Sequence, residues 1–239
     1  MALRIGVDLD GVLADMKSAL DHHADQLFGP APSPSDPGRA ADAQVSVAPE
    51  AVPDKAPLQL RRHLSPRQHR RLWRRIRGIE GFWELLEEAE PGMVTRLASL
   101  AAERRWEIIF LTKRPPTAGA TPQIQSQRWL ASKGFHLPSV YVVTGSRGLI
   151  ASALSLDIVV DDRPENCLDV ATDSTARAIA VVRPTEPAPP AFLKTMGIDL
   201  VRSTDECLDL LVAIDAIVNR RPGAVERLMR RVGLKQAKA

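Results

Sequence analysis

The sequence predicts an α/β domain: a doubly wound, largely parallel sheet with a small helical segment inserted early in the chain. Three observations carry this. Short apolar runs alternate with stretches of helical periodicity from the N-terminus to about residue 182, the pattern of successive βαβ units. Several of those runs end in polar residues, as expected where parallel strands deliver a site at their carboxyl ends: Asp8 and Asp10, Thr112, and the pair Asp161-Asp162. The long interval between the first two of these ends has a helical pattern of its own.

The first strand, from Leu3 to Asp8, runs straight into Asp8-Leu9-Asp10-Gly11, where glycine permits a sharp turn. While the chain is extended, Asp8 and Asp10 share a face, and two carboxylates so placed repel unless a cation stands between them. A magnesium ion with a phosphate substrate is the expected remedy. Leu13, Met16, Leu20, Ala24 and Leu27 follow at helical spacing, predicting a helix to Phe28 that packs one face on the sheet, with Asp15 in its first turn. Residues 29–57 are rich in proline among Ala, Ser and Asp, and read as a loop or partly disordered insertion. Helical periodicity returns between Leu58 and Glu90, through Leu72 and Ile76 with Trp73, Phe82 and Trp83 close by.

Pro91-Gly92 punctuates the return to the core, and a helix follows over Met93 to Glu103. The strand 108–111 ends in Thr112. Thr121-Pro122 opens the next helix as N-cap and first helical residue, and Gly134 closes it. Strand 140–143 leads through Thr144-Gly145-Ser146-Arg147 to a short helix near Leu149 to Leu154. Strands 157–160 and 178–182 flank a helix through Leu168 and Ala171. A stiff loop follows Pro184, then a terminal helix from Asp205 to Val218 and a basic tail. The divisions expected are a core of residues 1–28 and 91–202, a proline-rich loop plus helical cap at 29–90, and a C-terminal helix and tail at 203–239.

Composition bounds the function. The 239 residues suffice for one α/β domain with a modest insertion, and a net charge of +3 suits an anionic substrate without establishing nucleic-acid binding. Two cysteines, Cys167 and Cys207, exclude a disulfide framework and a zinc-type cluster. The N-terminal apolar run is too short for a signal-peptide core, and Leu210 to Ile214 is interrupted by Asp215 before it could span a bilayer. The expectation is a cytoplasmic protein without a membrane partner.

Asp8-Leu9-Asp10-Gly11-Val12, Leu111-Thr112, a basic residue at the next strand end and Asp161-Asp162 resemble, in order, the four motifs of the haloacid dehalogenase superfamily of phosphohydrolases. The resemblance spans roughly residues 3–185. More narrowly, Asp8 to Asp15, Gly81-Phe82-Trp83 before Glu90-Pro91-Gly92, and Asp161-Asp162-Arg163-Pro164 look like the 5'(3')-deoxyribonucleotidase group.

That resemblance implies that Asp8 attacks phosphorus to form an aspartyl-phosphate, and that Asp10 protonates the leaving alcohol and then activates water. It implies Mg2+ held by the Asp8 carboxylate, the Asp10 backbone carbonyl and one of Asp161 and Asp162, with Asp162 favoured. Thr112 would donate its hydroxyl to a phosphoryl oxygen. Arg147 fits the compensating cation best, with Lys113 and Lys133 as alternatives. Lys113-Arg114 reads equally as a cationic rim or a solvated pair. Asn166 would orient the Asp162 carboxylate or cap the following helix. The aromatics Trp73, Phe82 and Trp83 would contact a base in a substrate-selecting cap, or serve as core. The function implied is hydrolysis of a small phosphorylated substrate, a nucleoside monophosphate. The alternative is a polynucleotide-binding or end-processing phosphatase using the basic Arg61 to Arg77 segment. A solvated helix face is the simpler reading of that segment, because no base-stacking aromatics interleave its arginines.

Overall fold

A computed structural model describes residues 2–31, 60, 62–184 and 188–219. Most of the proline-rich stretch, the loop at 185–187 and the basic tail lie outside the described residues. Six strands form one sheet: β1 (Arg4–Asp8), β2 (Glu107–Thr112), β3 (Ser139–Val142), β4 (Ile158–Asp161), β5 (Arg177–Val181) and β6 (Asp199–Val201). Their order is β3-β2-β1-β4-β5-β6, and every neighbouring pair is parallel. The expected doubly wound sheet is therefore observed, with one strand more than the sequence suggested. β6 is only three residues, Asp-Leu-Val, too short to show a period.

Helices cover both faces of the sheet: α1 (Met16–Phe28), α2 (Pro66–Arg77), α3 (Met93–Arg104), α4 (Pro122–Ser132), α5 (Arg147–Ala153), α6 (Pro164–Asp173), α7 (Phe192–Thr195) and α8 (Thr204–Val218). Strand alternation divides the core in two. Ile5, Val7, Phe110, Val160, Ile179 and Val181 pack with residues of α3, α4 and α8 on one face. Ile109, Leu111, Val159, Ala178 and Ala180 meet residues of α5, α6 and α7 on the other. Each such aliphatic side chain, removed from water, contributes about 1.5–3 kcal/mol. Burial on both faces explains why these strands read as continuous apolar runs rather than alternating ones.

The early insertion departs from expectation in one respect. The backbone turns tightly after Asp10, with Leu13 N–H and Ala14 N–H both donating to Leu9 O, so α1 starts only at Met16. Asp15 is its N-cap, accepting from Ser18 N–H, rather than a first-turn residue. The chain has by then left the sheet, and the main helical neighbour of α1 is α2, not the strands. Entry and exit of the insertion are stapled by Asp15 N–H to Glu87 O at 2.9 Å and Ala89 N–H to Leu13 O at 2.8 Å. α2 begins in a capping box, Ser65 accepting from Gln68 N–H and Gln68 Oε1 from Ser65 N–H, with Pro66 in the first turn. It buries Leu72 and Ile76 in the main core and turns its arginines outward. Among the described residues no helix is long and apolar enough to cross a membrane.

Candidate active site

The chain runs β1, β2, β3 to one side of the sheet and returns through β4, β5, β6 on the other. The switch in direction falls between β1 and β4, where open α/β sheets form a crevice at their carboxyl ends. Register fixes what meets there. Asp8 is paired with Leu111, one residue before Thr112, while Val7 is paired with Val160, one residue before Asp161. The loop after β3 brings Arg147 in at the first turn of α5, which Ser146 caps by accepting from Leu149 N–H.

Arg147 is buried among these groups. Its Nη2 donates to Asp8 Oδ1 at 2.7 Å, and its Nε lies 3.4 Å from Asp161 Oδ2. Its Nη1 is buried without a hydrogen-bond acceptor among the described residues. A buried cationic donor lacking an acceptor is rare, and it suits an incoming anion. α5 can lie close enough to place Arg147 because the next residue is Gly148: a Cβ there would stand 2.2 Å from Asp169 O of α6.

Asp161 accepts from Arg163 N–H at 2.9 Å and from Asn166 Nδ2 at 3.0 and 2.9 Å. Asp161 thereby holds Arg147 while its own carboxylate is oriented by Arg163 N–H and Asn166. Asp162 instead faces the turn after Asp10. A Cβ on Gly11 would come within 2.0 Å of Asp162 Oδ2, and Gly11 holds φ +94°, a conformation side-chain-bearing residues avoid.

Asp10 is engaged on the β2 side. Thr112, fully buried, donates its hydroxyl to Asp10 Oδ2 at 3.1 Å. Arg114 grips the same carboxylate, Nη2 to Oδ1 at 2.7 Å and Nε to both oxygens at 3.1 and 3.0 Å. Of the adjacent pair, Lys113 is exposed and Arg114 is buried. Alternation carried one step past Thr112 points to Arg114. Lys133 is distant in role as well, pairing with Glu87 at 3.5 Å.

The cap aromatics divide. Trp73 is half-buried on α2, its Nε1 donating to His69 Nε2 at 3.2 Å. Phe82 and Trp83, in a short 3-10 turn, are buried in the main core, their ring centroids 4.9 Å apart edge to face. With 2% and 0% exposure they present no ring face to a base, which corrects the expectation of a stacking platform. Trp83 instead packs against the Arg114 guanidinium, 4.9 Å from the ring centroid.

Sequence reasoning missed a second support. Arg183, after β5, donates to Gly11 O and Val12 O and pairs with Glu90, which also accepts from Thr204 N–H and Asp205 N–H at the start of α8. The turn that carries Asp10 is thereby tied to the end of the insertion.

Electrostatically the cluster gathers Asp8, Asp10, Asp161 and Asp162 about the buried Arg147 and Arg114. Burial, then the Asp161 charge, pushes the Asp8 carboxyl well above the ordinary range; Asp162 and Asp10 add to this and Arg147 opposes it. Burial likewise raises Asp161, against Arg147, Arg163 N–H and Asn166. A further cation would relieve the excess. Among the described residues no three His, Cys, Asp or Glu side chains gather into a metal cage. Magnesium requires none: it takes one or two carboxylates and keeps waters. Hard oxygens from Asp8, Asp162 and the Asp10 carbonyl fit that ion.

No family model and no curated protein matches the sequence. Solved structures do match. The chain is similar to a protein assigned as a beta-phosphoglucomutase from Thermotoga maritima, with 17% identity, a TM-score of 0.54, and coverage of 89% of this chain and 99% of that one. It is also similar to a HAD family hydrolase from Deinococcus radiodurans R1, solved with bound phosphate and sodium, with 14% identity, a TM-score of 0.54, and coverage of 89% and 96%. These likenesses are likenesses of fold, and the fold is that of the haloacid dehalogenase-type hydrolases.

Proposed function

We propose that this chain is a magnesium-dependent phosphohydrolase acting on a small phosphate monoester, with a nucleoside monophosphate as the substrate. The observation that carries the reading is the buried Arg147, bound to Asp8 and Asp161 and retaining an unsatisfied Nη1 beside the aspartate cluster. A phosphoryl group supplies the acceptors that this nitrogen lacks. Bound phosphate in the Deinococcus hydrolase of similar fold is consistent with it.

In this reading Asp8 attacks phosphorus in line, held at its attacking angle by Arg147. Asp10 gives its proton to the departing oxygen and then takes one from the water that cleaves the aspartyl-phosphate. Arg147 donates to the phosphoryl oxygens where charge develops, while the Thr112 hydroxyl stays on Asp10. Asp8, Asp162 and the Asp10 carbonyl would hold the magnesium ion, which neutralises phosphate charge when bound. The insertion between Asp15 and Glu88 stands beside the turn carrying Asp10 and acts as the cap that sheds water and selects the leaving group.

The test is a panel of nucleotides and sugar phosphates assayed with and without magnesium. Asp8→Asn is expected to lose at least about 10³-fold in kcat, the scale of removing a nucleophile, while staying folded. Asp162→Ala and Asp161→Ala should differ: the first raises the magnesium concentration needed by about 10–100-fold, and the second raises KM by releasing Arg147. Undiminished hydrolysis by Asp8→Asn would exclude the aspartyl-phosphate route.

A further inference from the structure

Arg114 is a buried cation that the phosphohydrolase reading, on which this inference rests, leaves without a role. It is 2% exposed, and its donors are spent inside the protein: Nε and Nη2 on Asp10, Nη1 on Ser126 Oγ at 2.9 Å. Aromatic rings stand against the guanidinium, Trp83 at 4.9 Å and Trp129 at 6.0 Å from their centroids. Those rings are themselves anchored, Trp83 Nε1 to Pro115 O at 3.0 Å and Trp129 Nε1 to Leu86 O at 2.6 Å. Ser126 in turn donates to Pro122 O at 2.7 Å.

A buried ion pair is weak evidence for stability, because desolvation offsets its attraction and an apolar pair of similar volume does as well. Nor can Arg114 serve as a phosphate clamp, since no donor faces outward. What the arrangement does accomplish is geometric. Two parallel N–H bonds fix the plane of the Asp10 carboxylate, and Thr112 adds a third contact from the strand alongside.

We propose that Arg114, held by Trp83, Trp129 and Ser126, is the positioning residue that aims the Asp10 carboxyl at the leaving oxygen of the substrate. In the first step the Asp10 O–H bond breaks and its proton passes to the ester oxygen, as that oxygen leaves phosphorus and an Asp8 oxygen bonds to it. In the second, water returns a proton to Asp10 as its oxygen attacks phosphorus and Asp8 departs. Arg114 touches none of the reacting atoms; it sets the direction of both transfers. Trp83, supplied by the insertion, thus acts on the chemistry through Arg114 and not on a base.

The experiment compares the parent with Arg114→Ala and Arg114→Lys on two esters at saturating magnesium: p-nitrophenyl phosphate, whose phenolate leaves without a proton, and the best alkyl phosphate from the panel. Arg114→Ala is expected to lose about 10²–10⁴-fold in kcat/KM, which reads only the first step, on the alkyl ester, the range of a lost general acid, with at most about a tenfold loss in kcat/KM on the aryl ester. Arg114→Lys should fall between, and free guanidinium should restore Arg114→Ala preferentially on the alkyl ester. Circular dichroism checks the fold, and Ser126→Ala supplies the same leaving-group pattern in weaker form if Arg114→Ala is unfolded. An equal loss in kcat/KM on both esters would overturn the positioning role and leave the phosphohydrolase reading intact. Failure of the parent on every ester would overturn that reading itself.

Discussion

Side-chain direction along a strand decides which cation enters the site. At the end of β2, Thr112 and the buried Arg114 two residues on both meet the Asp10 carboxylate. That much was legible from period two alone, had the run been carried past its last apolar residue. The pairing of Asn166 with Asp161, and the closeness of Asp162 to the Gly11 turn, were not, because they depend on where Asn166 and Gly11 lie in space. Gly148 offers a test at this scale. An added Cβ would meet Asp169 O at 2.2 Å, so Gly148→Ala must push α5 away from α6 and carry Arg147 with it. The expected outcome is a loss of about 1–3 kcal/mol in stability, the range for overpacking, with a rise in KM for phosphate esters. Leu149→Ala, on the exposed side of the same helix, should leave KM and the melting temperature near the parent's.

Among the elements, the strands that carry the site were plain in the sequence because burial on both faces makes them apolar throughout and their ends are polar. β6 and α7 were not, since three or four residues cannot show a period. α1 was read as a sheet-packing helix because its apolar spacing says only that one face is buried, not against what. α2 presents the opposite case, a helix whose two faces are told apart by charge. Leu72 and Ile76 are inside, while Arg67, Arg70, Arg71, Arg74, Arg75 and Arg77 are exposed. Changing Arg70, Arg71, Arg74 and Arg75 together to Gln should leave the ranking of nucleotide substrates unaltered, and each exposed change should shift stability by less than about 0.5 kcal/mol. Retention of the parent on DNA or RNA at low salt, lost in this variant, would instead favour a polynucleotide substrate. Leu72→Ala should cost about 2–5 kcal/mol, because it opens the core that the insertion shares with the sheet.

Across the whole molecule, the link between insertion and core passes through Glu90 and Arg183. Burial works to raise the Glu90 carboxyl, but bonds from Thr204 N–H, Arg183 and Asp205 N–H, with the Arg183 charge, hold it below the ordinary range. A carboxylate depressed on folding contributes stability above its unfolded pKa, and that contribution is lost as pH falls through the folded value. The parent should therefore lose melting temperature as pH drops below about 4.5. Glu90→Gln should melt lower at neutral pH, by about 1.5–3 kcal/mol for the charged hydrogen bonds removed, and show a shallower acid decline. An unchanged acid slope in Glu90→Gln would place the pH dependence elsewhere.

Asp8, bound by the buried Arg147 whose Nη1 lacks an acceptor among the described residues, is the proposed nucleophile. The most direct test of this role is acid quenching of the protein during turnover of its best phosphate ester, followed by mass spectrometry of its peptides. One phosphoryl group is expected on the peptide holding Asp8, released by hydroxylamine and absent from Asp8→Asn. Steady turnover with no phosphoryl group on that peptide, or with the group on another residue, would contradict it.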